Sequence, residues 1–341
     1  MSIVESSKHW LENHESTDSA GRSLAASLYD LPVTILLRGE LGAGKTTFLK
    51  GFAKGLGVQE DVTSPSYALE QRYSTTNHGQ LLHIDLYRLT PTHARDLLAS
   101  SDEFEGIRCI EWPERLETDL EKAFPEAIDI ALSEERNGRA LEATFRDIPL
   151  PSPAMIAQWR TDVRLPENVI AHCETVAIFA AHLADILLQR NEIVRKEALR
   201  TAGSLHDLLR FVDFRRDRPG KAGNTGEEES LWEEWIRRYP DQRHEDAVAS
   251  FLGEQGFTAL ARIVHTHGLR LPPRHQATIE QRVLFYADKR VKLDEVVSLE
   301  ERFRDFNERY AGSHITEGSQ KWLATAKELE KELFPEGAPS R

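Results

Sequence analysis

An α/β nucleotide-binding unit followed by an all-helical unit is the architecture that the sequence predicts, and three observations predict it. The first is Gly39-Glu-Leu-Gly-Ala-Gly-Lys-Thr-Thr47, a GxxxxGK[ST] pattern between the apolar, β-branched run Val33-Thr-Ile-Leu-Leu37 and a helical segment from Thr47 to Leu56. The second is the stiff stretch Pro149-Leu-Pro-Ser-Pro153. The third is the change beyond it: from residue 155 helical periodicity dominates, histidines accumulate and strand signals vanish. The expected divisions are 1–148 for the first domain, 149–154 for a linker, 155–335 for the second domain and 336–341 for a flexible tail.

Composition narrows the class. The 341 residues suffice for two domains with a core each. A hydrophobic share of 40% beside a charged share of 29% is that of a soluble globular protein. No apolar run is read as reaching the roughly 18 residues of a membrane span, so no membrane role is expected. The first residues lack the basic start and long apolar centre of a secretory signal. Cys109 and Cys173 alone make no disulfide framework, which points to a cytoplasmic location. The net charge is −13, and residues 1–150 carry 15 Lys+Arg against 25 Asp+Glu, a net −10. So acidic a surface repels nucleic-acid phosphates, and partner proteins would have to hold any RNA.

In chain order, Thr17 reads as the cap of a helix over 17–29 that leads into the strand at 33–37. In the loop that follows, glycines let successive backbone N–H groups turn inward around a polyphosphate, Lys45 adds a point charge, and the Thr46 hydroxyl can ligate Mg2+. Gly39, Gly42, Ala43, Gly44, Lys45, Thr46 and Thr47 are therefore the expected nucleotide-binding residues. A hydroxyl-rich loop, Val62-Thr-Ser-Pro-Ser-Tyr67, comes next. The strands at 81–86 and 107–112 each end in an acid followed by an aromatic, and Asp85 and Glu111 are the candidates for the metal-binding and water-positioning groups of ATP hydrolysis. Residues 127–132 and 139–145 alternate around Asn137-Gly138 as an antiparallel hairpin. In the second half, Arg215–Ser230 reads as a polar loop and the last helix as about 316–334.

Gly39-Glu-Leu-Gly-Ala-Gly-Lys-Thr-Thr-Phe48, Thr63-Ser-Pro-Ser-Tyr67, His83-Ile-Asp-Leu-Tyr-Arg-Leu89 and Ile110-Glu-Trp-Pro-Glu114 together resemble TsaE, the small bacterial ATPase also called YjeE, over about residues 10–147. The resemblance implies a P-loop fold, ATP and Mg2+ as cofactors, and work with TsaD and TsaB in making threonylcarbamoyladenosine in tRNA. It implies that Lys45 and the loop N–H groups hold phosphates, that Thr46 and Glu111 serve Mg2+, and that Asp85 is the catalytic acid. Thr63 and Ser64 then lie in a switch-like loop and Trp112 borders the site. Ser66 stands where the family usually has Thr, and 92–104 lacks its Glu-Leu-Glu and glycine pattern.

In the helical half, His172 shares a face with Val176, Phe179 and Leu183, His206 with Leu199, Ala202 and Leu209, His244 with Val248 and Phe251, and Asp288 with Leu284 and Val291. Imidazoles and carboxylates that converge on a core from several helices are best satisfied by metal. His172, His206-Asp207, His244, His265 and Asp288 in that order resemble the HD superfamily of metal-dependent phosphohydrolases over about 165–295, and its dinuclear branch, which includes the YqeK type. By that resemblance Asp207 bridges two divalent ions, iron or manganese among the options. His172, His206 and Asp288 hold one, and His244 and His265 the other. His267 reads as a rim residue, and Cys173, about 100° around the helix from His172, is not counted. Arg210, Arg215, Arg216, Arg218 and Lys221 read as a solvated loop or as collectors of substrate phosphate, and Lys289 as a contact to phosphate or solvent.

The expected function is an ATPase of tRNA threonylcarbamoylation fused to a phosphohydrolase acting on a nucleotide or related phosphoester. Two other readings compete: a phosphohydrolase regulated by ATP, and a non-catalytic assembly factor for TsaD and TsaB.

Overall fold

In the first unit of the chain, a computed structural model places β1 (Glu5–Leu11), α1 (His14–Ala25), β2 (Val33–Arg38), α2 (Lys45–Gly55), β3 (Glu70–Ser74), β4 (Gln80–Asp85), α3 (Pro91–Ala99), β5 (Ile107–Glu111), α4 (Leu120–Ala123), β6 (Ile128–Glu135) and β7 (Gly138–Phe145). Residues 4–29, 31–65, 68–214, 226–268, 277–310 and 317–339 are described. One seven-stranded sheet has the order β1-β7-β6-β2-β5-β4-β3. Its four middle strands are parallel, with β5 and β6 flanking β2 and β4 beside β5; β1, β7 and β3 add antiparallel pairs. A strand apolar on both faces belongs at the centre of such a sheet. β2 is one: Ile35 and Leu37 join Phe48, Leu49 and Phe52 on one side, and Leu36 joins Ile84, Ile110 and Leu98 on the other.

Helices α1 and α2 pack side by side because glycines let them. A Cβ on Gly51 would stand 1.9 Å from the Asp18 carbonyl oxygen, and one on Gly21 2.1 Å from that of Phe48. The helix expected over 17–29 starts earlier, capped by Asn13, whose side chain accepts from the Ser16 N–H at 2.9 Å. Thr17 lies inside α1, its hydroxyl donating to the Asn13 carbonyl. The hairpin at Asn137-Gly138 pairs as expected. Four elements of this unit had no counterpart in the sequence reading: β1, β3, α3 and α4.

The first unit runs to Ile148 and also takes in Ile186–Arg195; the second holds Pro149–Asp185 and Lys196–Arg341. Ile193 belongs to the first unit's apolar core. Arg195 is 1% exposed, pairs with Asp147 at 2.6 Å and donates to the Ser27 carbonyl at 2.8 Å.

The second unit is mostly helical: α5 (Pro153–Asp162), α6 (Glu167–Gln189), α7 (Lys196–Leu205), α8 (Gly226–Arg238), α9 (His244–Glu254), α10 (Thr258–His265), α11 (Ile279–Arg290), α12 (Leu299–Tyr310) and α13 (Glu317–Leu333). Strand character does not vanish completely, since β8 (Val291–Lys292) and β9 (Glu295–Val296) form a two-residue ladder after α11. Helix α8 takes up part of the stretch read as a loop over Arg215–Ser230. Helix α6 corrects the expectation about apolar runs: by length and composition it could cross a membrane. Half of that apolar window is buried, with Val176, Ala180, Leu183 and Ala184 essentially inaccessible.

Two stability measurements follow. Removing one partner of a buried ion pair costs roughly 3–5 kcal/mol, so Arg195→Met is expected to lower the first unit's unfolding free energy by that order in denaturant titration. Burial pushes the His9 imidazole down to about 4. The unfolded chain then binds the extra proton first, so the stabilisation is complete above pH about 6.5 and is lost as pH falls towards 4, on the order of 3 kcal/mol in all. In His9→Gln, the slope of stability against pH between 4 and 6.5 should flatten.

Candidate functional sites

The loop after β2 turns through Gly39, Gly42 and Gly44, at φ of 132°, 89° and 105°, values that side-chain-bearing residues rarely adopt. A Cβ on Gly39 would stand 2.1 Å from the Leu132 carbonyl oxygen, so the loop lies against the end of β6. Lys45 opens α2 and donates to the Gly39 and Glu40 carbonyls at 2.6 and 3.0 Å. Burial lowers its pKa, against the pull of Glu111, Glu114, Asp85 and Glu40.

Asp85 and Glu111 are direct neighbours in register at the ends of parallel β4 and β5, and Leu37 of β2 is level with Glu111. Both carboxylates are 3% exposed. Asp85 accepts from the Ser64 hydroxyl at 2.7 Å and from the Tyr87 N–H at 2.9 Å. Glu111 Oε1 lies 3.0 Å from Nε2 of His83, a fully buried imidazole that the sequence reading quoted without a role. Trp112, at φ 60°, puts its ring centroid 3.9 Å from Lys45 Nζ. A cation, a hydroxyl-bearing helix start and two buried acids therefore meet at the carboxyl ends of the parallel strands. Such a set fits a Mg2+-nucleotide. Of the hydroxyl loop, Ser64 rather than Thr63 reaches the acids; Thr63 is exposed and donates its backbone N–H to the Tyr73 hydroxyl at 3.3 Å. Ser66 and Tyr67 lie outside the described residues.

In the second unit four imidazoles converge on two carboxylates. Helices α6 and α7 approach closely at Gly203, where a Cβ would stand 2.7 Å from the Ala177 Cα, and the rings of His172 and His206 are 5.3 Å apart. Each imidazole has its Nδ1 beside an acceptor: His172 at Leu293 O (2.8 Å), His206 at Gly203 O (2.7 Å), His267 at Val264 O (2.6 Å) and His244 at Asp213 Oδ2 (2.6 Å). An Nδ1–H donated there leaves Nε2 as the lone-pair nitrogen. Those lone pairs face Asp207 and Asp288. His172 Nε2 is 3.2 Å and His206 Nε2 3.7 Å from Asp288 Oδ1. Asp207 turns Oδ2 to His206 at 3.7 Å and Oδ1 to His244 and His267 at 3.1 and 3.6 Å.

The donor set fits divalent metal. His206 Nε2 is buried with no hydrogen-bond partner among the described residues. Nε2 of His244 and Nε2 of His267 are 3.0 Å apart. Two such lone pairs repel unless a proton or a cation lies between them, and two nitrogens each ~2.1 Å from one ion would be separated by about this distance. Burial drives the His206 imidazole down to about 3, which keeps it neutral. Burial opposes ionisation of Asp207, but Arg210 and His244 together hold it well below the usual carboxylate range; Lys289 with His172 does the same for Asp288.

A family model described as Threonylcarbamoyl adenosine biosynthesis protein TsaE matches residues 11–141. A protein of Nostoc sp. (strain PCC 7120 / SAG 25.82 / UTEX 2576) named tRNA threonylcarbamoyladenosine biosynthesis protein TsaE is 40% identical over 121 residues, covering 34% of this chain and 74% of the relative. The chain belongs to the TsaE family. The protein of that name from Aquifex aeolicus (strain VF5) is 42% identical over 107 residues, 31% of this chain and 75% of its own. A solved structure titled "Crystal structure of Bacillus subtilus YdiB" shares 28% identity over 43% of this chain and 89% of that one, with a TM-score of 0.35. A second family model, HD domain, matches residues 169–292, so this TsaE-family chain carries an HD domain in its helical half.

The TsaE motif residues Lys45, Asp85, Glu111 and Trp112 lie together, as do the HD-half residues His172, His206, Asp207, His244 and Asp288. The expectation that His265 completes the second set is corrected. His265 ends α10 with its side chain 39% exposed and pairs with Asp246 at 2.8 Å. His267, read as a rim residue, lies in the turn after α10, 2% exposed, with its ring 4.9 Å from that of His206. Helical spacing placed His267 on another face, but the helix stops before it. Lys289 does not face solvent: it is buried, donating to Asp288 and, at 2.9 Å, to the His267 carbonyl. Cys173 is buried, and burial pushes its thiol up, away from the thiolate that a metal needs. Arg210 lies against the His244 ring, 3.9 Å from Asp207. Arg215, Arg216, Arg218 and Lys221 are outside the described residues.

Asp213, six residues past Asp207, was also missed. It sets the His244 tautomer from behind, with its carboxyl at about 2 because His244, Arg210 and Arg243 outweigh burial. Loss of such a partner typically weakens a metal site 10–100-fold. Asp213→Asn is expected to show that order of loss for Mn2+ or Fe2+ by equilibrium dialysis, with Asp213→Glu losing less.

Proposed function

We propose that this chain is an ATPase of the tRNA threonylcarbamoyladenosine modification machinery, acting with TsaD- and TsaB-like proteins, with a fused dinuclear-metal phosphohydrolase that cleaves a nucleotide or related phosphoester. The observation that carries the first half is the buried pair Asp85–Glu111 beside the glycine loop. Lys45 and the loop N–H groups hold the β- and γ-phosphates. Thr46 and Glu111 serve Mg2+, with Glu111 oriented by His83. Asp85, itself held by Ser64 and Tyr87, positions the attacking water. The acidic first half leaves tRNA contact to the partner proteins.

For the second half the carrying observation is the set of four imidazoles turned inward by their Nδ1 contacts. His172, His206 and Asp288 form one ligand group and His244 and His267 the other, with one Asp207 oxygen facing each. Divalent ions bound there lower the pKa of a water to make it a nucleophile near neutral pH and clamp the phosphate oxygens. Asp207 and Asp288 supply the negative charge that retains the ions, and Arg210 stands beside them as a cation for a substrate phosphate.

The test uses the full chain loaded with Mn2+ or Fe2+. Lys45→Ala is expected to abolish Mg2+-dependent ATP hydrolysis and leave phosphoester cleavage in place. Asp207→Ala should do the reverse, with loss of bound metal by elemental analysis. ATP hydrolysis that survives Lys45→Ala, or metal that survives Asp207→Ala, would overturn the corresponding half. Absence of ATP-dependent association with TsaD and TsaB would remove the tRNA role.

A further inference from the structure

The sheet order gives the proposed ATP site two unlike flanks. Asp85 and Glu111 stand on β4 and β5, on one side of β2, while β6, β7 and β1 lie on the other. Metal and terminal phosphate belong on the acid side. The nucleoside end of a bound nucleotide must then leave towards β6 and β7. No residue there was given a role by motif.

Arg139 starts the exit of the hairpin on that flank. It is level with Glu134 of β6 and Leu11 of β1. Its side chain reaches back to the loop: a Cβ on Gly44 would stand 3.0 Å from Arg139 Nε and 3.1 Å from its Cδ, with Thr17 Cγ2 at 3.6 Å. Arg139 Nε is buried and has no hydrogen-bond partner among the described residues. A buried donor of a charged group without an acceptor is costly, and a guanidinium's preferred acceptors are carboxylate and phosphate. Glu134, the nearest acid in register, makes no ion pair with it; its Oε1 lies instead 3.5 Å from the place of a Cβ on Gly42. At the start of α2 on the same side, the Thr47 hydroxyl is 3.4 Å from His14 Nδ1.

Resting on the ATPase reading, we infer that Arg139 binds the α-phosphate of the nucleotide, so that the nucleoside leaves the loop over the β6–β7 hairpin. Lys45 and Arg139 then grip the polyphosphate from opposite ends. Lys45 lies among the acids that handle the γ-phosphate, and Arg139 sits on the flank that has no metal. An α-phosphate is common to ATP and ADP, so this contact carries affinity for both and does not discriminate substrate from product.

The test is calorimetric binding of ATP and of ADP to the full chain, with Arg139→Ala and Arg139→Lys beside wild type and with unliganded melting temperatures measured. Arg139→Ala should weaken ATP and ADP by a similar factor, about 10–100-fold. Arg139→Lys, which keeps charge and stem, should recover part of it. In steady-state hydrolysis the larger share of the loss in kcat/KM should appear in KM. Unchanged affinity for both nucleotides overturns the inference, as does a loss confined to ATP, which would put Arg139 at the γ-phosphate. So does a loss that Arg139→Lys does not relieve and that tracks a lowered melting temperature. A wild type that binds neither nucleotide overturns the ATPase reading as well, whereas a binding-competent wild type with an indifferent Arg139→Ala overturns this inference alone.

Discussion

Buried charge has to be met by opposite charge or by hydrogen bonds, and that constraint shapes both halves of the chain. Asp207 and Asp288 are ionised in a helical core where burial alone would neutralise them. Two helices and two turns bring imidazoles to them, and backbone carbonyls or Asp213 fix which nitrogen each imidazole presents. Asp85 and Glu111 face a similar demand at the ends of two strands, met by Ser64, the Tyr87 N–H and His83. A cation bound at either place would add to this compensation. Stability and ligand affinity are therefore coupled, since whatever completes the charge balance also stabilises the fold.

Much of the first unit was legible because its signals are local. The glycine loop lies between a two-faced apolar strand and a helix, and both acids stand at strand ends where an apolar run breaks off. The missing elements are those whose signal is not apolar. β1 buries Glu5, His9 and Leu11 on its inward face, which does not read as alternation of apolar with polar residues. β3 buries Tyr73 and exposes most of the rest, as an edge strand can. Asn13 was passed over as a cap because Thr17 is also a good capping residue, and the choice depends on where the chain leaves β1.

In the helical half the sequence named five of the residues that the structure brings together, but took His265 for His267 and passed over Asp213. His172, His206, His244 and Asp288 fall on apolar stripes, so periodicity finds them. His265 and His267 are a harder case, because periodicity holds only while the helix lasts and α10 ends between them. Asp213 and Arg139 act through another residue or from another strand, so no spacing rule connects them to their sites. Folding places them there.

The placement of Ile186–Arg195 in the first unit bears on where the chain can be cut. The proline stretch at 149–153 looks like a seam between the TsaE-family part and the HD domain. Yet ten residues from well past that seam supply an apolar core member and a buried guanidinium to the first unit. A first unit severed at the seam would be short of its own parts.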